Sequence, residues 1–189
     1  MRILRRTQFG NTILREITQR ITKQEILSTD IQYLLKDMRY TLVNKRYGVG
    51  LAAPQIGKSL AIAIIGIKPT PTRPNIPTLD MTLINPEIVA NYGKPVLMWE
   101  GCISGPDMYG KTERYEKVRL KWLDEKANSH EKIFDGLVAQ VIQHENDHLN
   151  GILFVERVVD PKSYVTFSEY KKMRKLEKKS EKKDKPISK

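Results

Sequence analysis

The chain has 189 residues, 40% of them hydrophobic, and Lys+Arg 33 against Asp+Glu 22 give a formal net charge of +11. That balance fits one globular domain with an ordinary core and excludes a chain too polar to fold. The single cysteine, Cys102, excludes an internal disulfide and fits a reducing compartment.

Met1-Arg2-Ile3-Leu4-Arg5-Arg6 lacks the apolar stretch of a secretory signal, so a cytoplasmic location is expected. An organelle transit peptide is the alternative, against which the early acids Glu16, Glu25 and Asp30 weigh. Thr29-x-x-Gln32 has capping-box spacing, and Ile31, Leu34, Leu35, Met38 and Leu42 recur at helical intervals. Asp30 to about Asn44 therefore reads as an amphipathic helix. After a glycine-rich segment, Leu60 to Ile67 is a β-branched run that predicts a buried strand. It is also the longest apolar run, far short of the roughly 20 residues that span a bilayer. Lys68–Pro77 holds four prolines and predicts a surface loop.

Short strands are predicted at Thr82–Asn85, Val96–Trp99 and Val118–Leu123, the last alternating apolar and charged residues as an antiparallel sheet with one wet face requires. Asp135 then caps a helix over Gly136–Leu149 that Asn150-Gly151 closes. Its first two turns are apolar on nearly every side, which places it inside the fold. Two helices, several strands and no β-α alternation give an α+β class with antiparallel β-sheets packed around a central buried helix. The chain ends in a basic tail: residues 171–189 carry ten Lys/Arg and three acids, leaving +4 for all the rest. The high isoelectric point thus belongs to an appendage, a helical extension or a disordered run, and not to a nucleic-acid-binding fold.

Chemistry concentrates in three segments. His144-Glu145-Asn146-Asp147-His148 sits on the buried helix, where residues four apart lie about 40° from each other around the axis, so both imidazoles can reach one ion with Glu145 close by. A catalytic metal site needs a third protein ligand and an open position. The candidates are His130 in a polar turn, a downstream acid, and Cys102 in Glu100-Gly101-Cys102-Ile103-Ser104. A lone cysteine is more often an inert buried thiol, but beside a His-Glu-x-x-His the reading turns toward a ligand. The third segment, Gly48-Val-Gly-Leu-Ala-Ala-Pro-Gln55, is no phosphate loop, and Gln55 can offer an amide N–H to a developing oxyanion. Val141 and Leu137 lie about 60° and 20° from His144 on the helix and are expected to line an apolar pocket beside the metal. Gln140 falls about 40° to the other side and is expected to hydrogen-bond at the pocket floor or rim.

Together these segments resemble the three signature motifs of the peptide deformylases, Gly-x-Gly-x-Ala-Ala-x-Gln, Glu-Gly-Cys-x-Ser and Gln-His-Glu-x-Asp-His, in the family's order and over about residues 1–160. The resemblance implies a catalytic domain over 1–170 that hydrolyses the formyl group from nascent formyl-methionyl peptides. It implies that Cys102, His144 and His148 hold one divalent metal, Fe²⁺ by expectation with Zn²⁺, Ni²⁺ or Co²⁺ as alternatives. Glu145 is then the general base and acid, and Gln55 with the Ile103 N–H stabilises the oxyanion. Val49, Gly50, Leu51, Gly101, Leu137 and Val141 are expected to contact substrate, and the tail to meet the ribosome. Two positions depart from the family: Ile103 where leucine is usual, and Tyr109 where many bacterial members carry arginine. A zinc peptidase using the same helix motif, a structural zinc protein and an inactive family member are the competing readings.

Overall fold

The structure, a computed structural model, describes residues 1–44, 48–70, 75–76 and 78–183. Helix α1 (Lys23–Ile26) opens on a capping box in which Thr22 and Glu25 satisfy each other's backbone N–H. Helix α2 (Thr29–Val43) follows, and its cap is Ser28, whose hydroxyl takes the Ile31 N–H. The capping box expected at Thr29 is therefore absent. Gln32 instead donates to the carbonyls of Ile26 and Glu125.

The strands are β1 (Gly50–Ala52), β2 (Ile62–Ile67), β3 (Leu79–Gly101), β4 (Met108–Leu123), β5 (Ser129–Asp135) and β6 (Val165–Thr166). They form one antiparallel sheet in the order β1-β2-β3-β4-β5, with β6 on β4. The segments Thr82–Asn85 and Val96–Trp99 are not separate strands but parts of the 23-residue β3. Its register with β4 slips between Ile84 and Glu87, Ile88 and Ala90, and Tyr92 and Pro95, and such bulges let a long strand bend. At the first slip Asn85 takes φ 50°, and its amide clasps both the N–H and the carbonyl of Ile21.

β2 explains why its sequence is apolar throughout. Ala63, Ile65 and Ile67 face a core shared with Ala139, Val141 and Ile142, while Ile62 and Ile64 face Leu35, Met38 and Leu42 of α2. Helix α3 (Gly136–Leu149) thus packs against one side of the sheet and α2 against the other. α3 has the predicted bounds, although the Asp135 side chain at its N-cap makes no capping hydrogen bond, and it touches strands β1 to β5. The chain reverses behind it at Gly151, whose φ of 73° is a left-handed closure. On the outer face of β4, Arg119 and Lys121 each reach Glu131 of β5 at 3.6 Å. Helix α4 (Phe167–Lys183) carries part of the basic tail. The proline-rich segment is only partly described, with residues 71–74 and 77 outside the described set. Among the described residues no helix is long and apolar enough to cross a membrane.

Candidate active site

Three elements converge on one point. α3 supplies His144, Glu145 and His148, the end of β3 supplies Glu100 and Gly101 and leads into Cys102, and β1 with its following turn supplies Gly50 and Gln55. The ligand atoms of Cys102, His144 and His148 all lie within 4.8 Å of one another, with Cys102 Sγ 3.1 Å from His148 Nε2. Cys102 falls just past β3, where the ladder with β4 has ended at the Gly101–Tyr109 pair, so its thiol is free of sheet packing. His130, the other candidate ligand, is elsewhere: it lies in β5 opposite Trp122 and bonds Asp124 at 2.8 Å.

Glu145 is 3% exposed, and its Oε2 has no hydrogen-bond partner among the described residues; neither has His148 Nδ1. An unpaired carboxyl is costly to bury beside two imidazoles and a thiol unless a cation completes the group. The donor set, one sulfur and two ring nitrogens, is that of a transition-metal site. The residues therefore fit a divalent metal. Burial pushes the Glu145 carboxyl up to about 7 in the metal-free protein, with the imidazoles pulling the other way. Burial also opposes ionisation of Cys102, but His148 and His144 outweigh it and hold the thiol well below its usual range. His144 is correspondingly held well above its usual value by Cys102 and Glu100 in spite of burial.

Gln55 is 1% exposed and its amide is oriented by its neighbours. The Ala52 N–H donates to Oε1 at 2.8 Å, which turns Nε2 toward Cys102 Sγ at 3.4 Å and Ser104 Oγ at 3.3 Å. Among the described residues the Ile103 N–H meets no protein acceptor. A side-chain amide at the thiol and a backbone N–H on the residue after it are donors of the kind an oxyanion accepts from.

The comparisons agree with this geometry. The family model for polypeptide deformylase matches residues 3–164. The chain belongs to the peptide deformylase family. A peptide deformylase of Leptospira biflexa is 38% identical over 161 residues, covering 83% of this chain and 88% of that protein. Peptide deformylase 2 of a Nostoc species is 35% identical over 167 residues, covering 88% and 92%. Among solved structures, the Met-Ala-Ser-bound class I type b peptide deformylase of Acinetobacter baumannii has 38% identity and a TM-score of 0.78, with 82% of this chain and 98% of that one covered. The Thermotoga maritima peptide deformylase has 29% identity and a TM-score of 0.72, with 84% and 99% covered.

Within this deformylase fold the remaining predicted residues separate by environment. Gly50 lies directly under Glu145, and Val141 and half-buried Leu137 pack in the core between α3 and the sheet, joined by Val49. Leu51 differs: its side chain is fully buried on the α2 side, so only its backbone can face a substrate. Gly101 is covered by the Tyr109 ring, and a Cβ there would stand 2.8 Å from it. Tyr109 in turn stacks on Tyr170 with centroids 4.4 Å apart and on Phe167 at 5.5 Å, so the base of α4 packs where the family often has an arginine. Gln140 is hydrogen-bonded beside the site. It donates to the Trp99 carbonyl at 2.9 Å and comes within 3.5 Å of Glu100.

Sequence reasoning missed the ion network behind the motif. Glu100 accepts from Arg114 through both oxygens at 2.8 and 3.0 Å and lies 3.1 Å from His144 Nδ1. Arg114 continues to Asp147 at 2.7 Å, and Arg157 closes on the same carboxylate at 2.7 and 3.1 Å. Burial raises Glu100, but His144 and Arg114 hold it at about 2, so it stays ionised. This carboxylate fixes the His144 ring and leaves Nε2 for a ligand role. The signal for it was the acid inside the cysteine motif itself.

Proposed function

We propose that the chain removes the N-formyl group from nascent formyl-methionyl polypeptides, releasing formate and a free amine. The observation that carries the reading is the buried, unpaired Glu145 carboxyl beside the Cys102, His144 and His148 cluster. These three residues hold one divalent metal, Fe²⁺ in the cell with Zn²⁺, Ni²⁺ or Co²⁺ as substitutes. When bound, the ion supplies Lewis acidity that lowers the pKa of water and polarises the formyl carbonyl. Glu145 accepts a proton from the attacking water and later delivers it to the departing nitrogen as the C–N bond breaks. Gln55 Nε2 and the Ile103 N–H donate to the oxyanion, each on the order of 3 kcal/mol. Glu100 keeps His144 oriented, and Arg114 keeps Glu100 in place.

Gly50, Leu51 and Gly101 offer backbone to an extended peptide, and Val49, Leu137 and Val141 wall a pocket for the first side chain. An unbranched, polarizable methionine suits such a wall. Residues 1–170 act as the catalytic unit in the cytoplasm, and the 171–189 tail reaches the ribosome through its positive charge. The test is formate release from formyl-Met and formyl-Ala peptides by metal-loaded protein prepared without oxygen. Turnover with at least about tenfold preference in kcat/KM for methionine is expected. Turnover without preference would remove the pocket assignment, and no turnover would remove the reading.

A further inference from the structure

The two oxyanion donors sit on segments that no ladder holds. Gln55 is in the short turn Ala53–Ile56, and Ile103 lies between the ends of β3 and β4. The N-terminal segment Arg6–Phe9, itself in no regular element, touches both. Toward the cysteine side, Arg6 Nη1 donates to the Ile103 carbonyl at 2.6 Å, and the Phe9 N–H donates to the Ser104 carbonyl at 2.9 Å. Gln8 Nε2 reaches the same Ile103 carbonyl at 3.4 Å, and the Phe9 ring lies on Gly105, where a Cβ would stand 3.2 Å from it. Toward the glutamine side, the Thr7 N–H donates to the Gln55 carbonyl at 2.9 Å and Thr7 Oγ1 to the Pro54 carbonyl at 2.7 Å.

The rigidity of the peptide unit turns these grips into aim. The Ile103 carbonyl and the Ser104 N–H belong to one planar peptide unit and point in opposite directions within it. Arg6 holds the carbonyl while the Ser104 N–H is directed at Cys102 Sγ, 3.4 Å away. On the other segment, Thr7 fixes the backbone of the residue whose amide faces the same sulfur. We propose that Arg6–Phe9 is a positioning strap that keeps the Gln55 turn and the Cys102–Ser104 segment at a fixed separation, with Arg6 and Thr7 as its working side chains. This rests on reading Gln55 and Ile103 as the oxyanion donors.

The experiment compares wild-type, Arg6→Met, Arg6→Lys and Thr7→Val as metal-loaded proteins of equal metal content, each with and without Gln55→Ala. Arg6→Met is expected to lower kcat about tenfold with KM within about twofold, because an oxyanion contact acts on the transition state. Arg6→Lys is expected to recover part of that loss. Thr7→Val is expected to lower kcat alone but to cost nothing further in the Gln55→Ala background, since it acts through Gln55. Hydrogen exchange supplies a readout independent of turnover: residues 102–105 should exchange faster in Arg6→Met and residues 53–57 faster in Thr7→Val, with α3 unchanged. Wild-type kcat in both variants, a loss confined to KM, or a full Thr7→Val effect without Gln55 would overturn the strap. Absence of formate release by the wild-type protein would overturn the reading of the reaction, and unchanged exchange at both segments would then overturn the strap as well.

Discussion

Gly50 gives Glu145 the room it occupies: a Cβ built on Gly50 would stand 2.6 Å from the Glu145 carboxyl carbon and closer still to one oxygen. The neighbour is the tip of a side chain, so Gly50→Ala should fold and bind metal but push the carboxylate aside. A displacement near 1 Å costs about 100-fold in rate. Steady-state kinetics beside elemental analysis checks this, and undiminished kcat in the alanine variant would show that Glu145 has slack.

Glu100 is the residue most exposed to loss of its partners. Glu100→Ala leaves Arg114 facing Asp147 alone and unties His144, which is expected to cost about 3–5 kcal/mol of stability and about 10–100-fold in metal affinity. The acid dependence follows from its depressed pKa, about 2 against 4.5 unperturbed. Its contribution is complete above 4.5 and is lost as pH falls toward about 2. Urea unfolding of metal-free wild-type and Glu100→Gln proteins between about pH 5 and about pH 3 should show a shallower acid decline in the variant. Parallel curves would assign that decline to other carboxylates.

Metal binding should release protons. In the metal-free site the Cys102 thiol is held well below its usual range and the His144 imidazole well above its own, while Glu145 titrates at about 7. A cation requires the neutral imidazole and favours the Glu145 carboxylate, so at neutral pH about one to two protons leave per ion and affinity rises with pH. Calorimetry in two buffers of different ionisation enthalpy measures the number. Zero protons released would contradict the charge states described.

The basic tail follows directly on an aromatic anchor. Phe167 and Tyr170 pack on Tyr109, so truncation after Tyr170 keeps that stack and should leave turnover of short formyl peptides within about twofold. Truncation after Thr166 strips both rings from Tyr109 and should lower stability by about 1–3 kcal/mol. Ribosome binding should weaken in both variants, and in the intact protein fall steeply with salt. Equal ribosome affinity with and without the tail would end that role.

The legible parts of the molecule were those whose signals are local. α3 could be bounded from Asp135 and Gly151, and its histidine pair from helical spacing, because each depends on residues within a turn or two. The bend of β3 was not legible, since a 23-residue strand with three register slips is dictated by its pairing with β4 rather than by its own pattern. Arg114 gave no signal for the same reason. It lies in β4 beyond the alternating stretch, and its partners Glu100 and Asp147 are brought to it only by the ladder and by α3. The strap from Arg6 to Phe9 makes only backbone-directed bonds across the chain, which leave no periodicity to read.

The central claim is that one carboxylate, Glu145, moves the proton while Cys102, His144 and His148 hold the metal. Formate release and metal content should be measured together, under anaerobic conditions, for wild-type, Glu145→Gln and Cys102→Ala proteins. The account predicts stoichiometric metal with turnover reduced about 10²–10⁴-fold in Glu145→Gln, and loss of both metal and turnover in Cys102→Ala. Near-wild-type formate release by Glu145→Gln, or stoichiometric metal retained by Cys102→Ala, would contradict it.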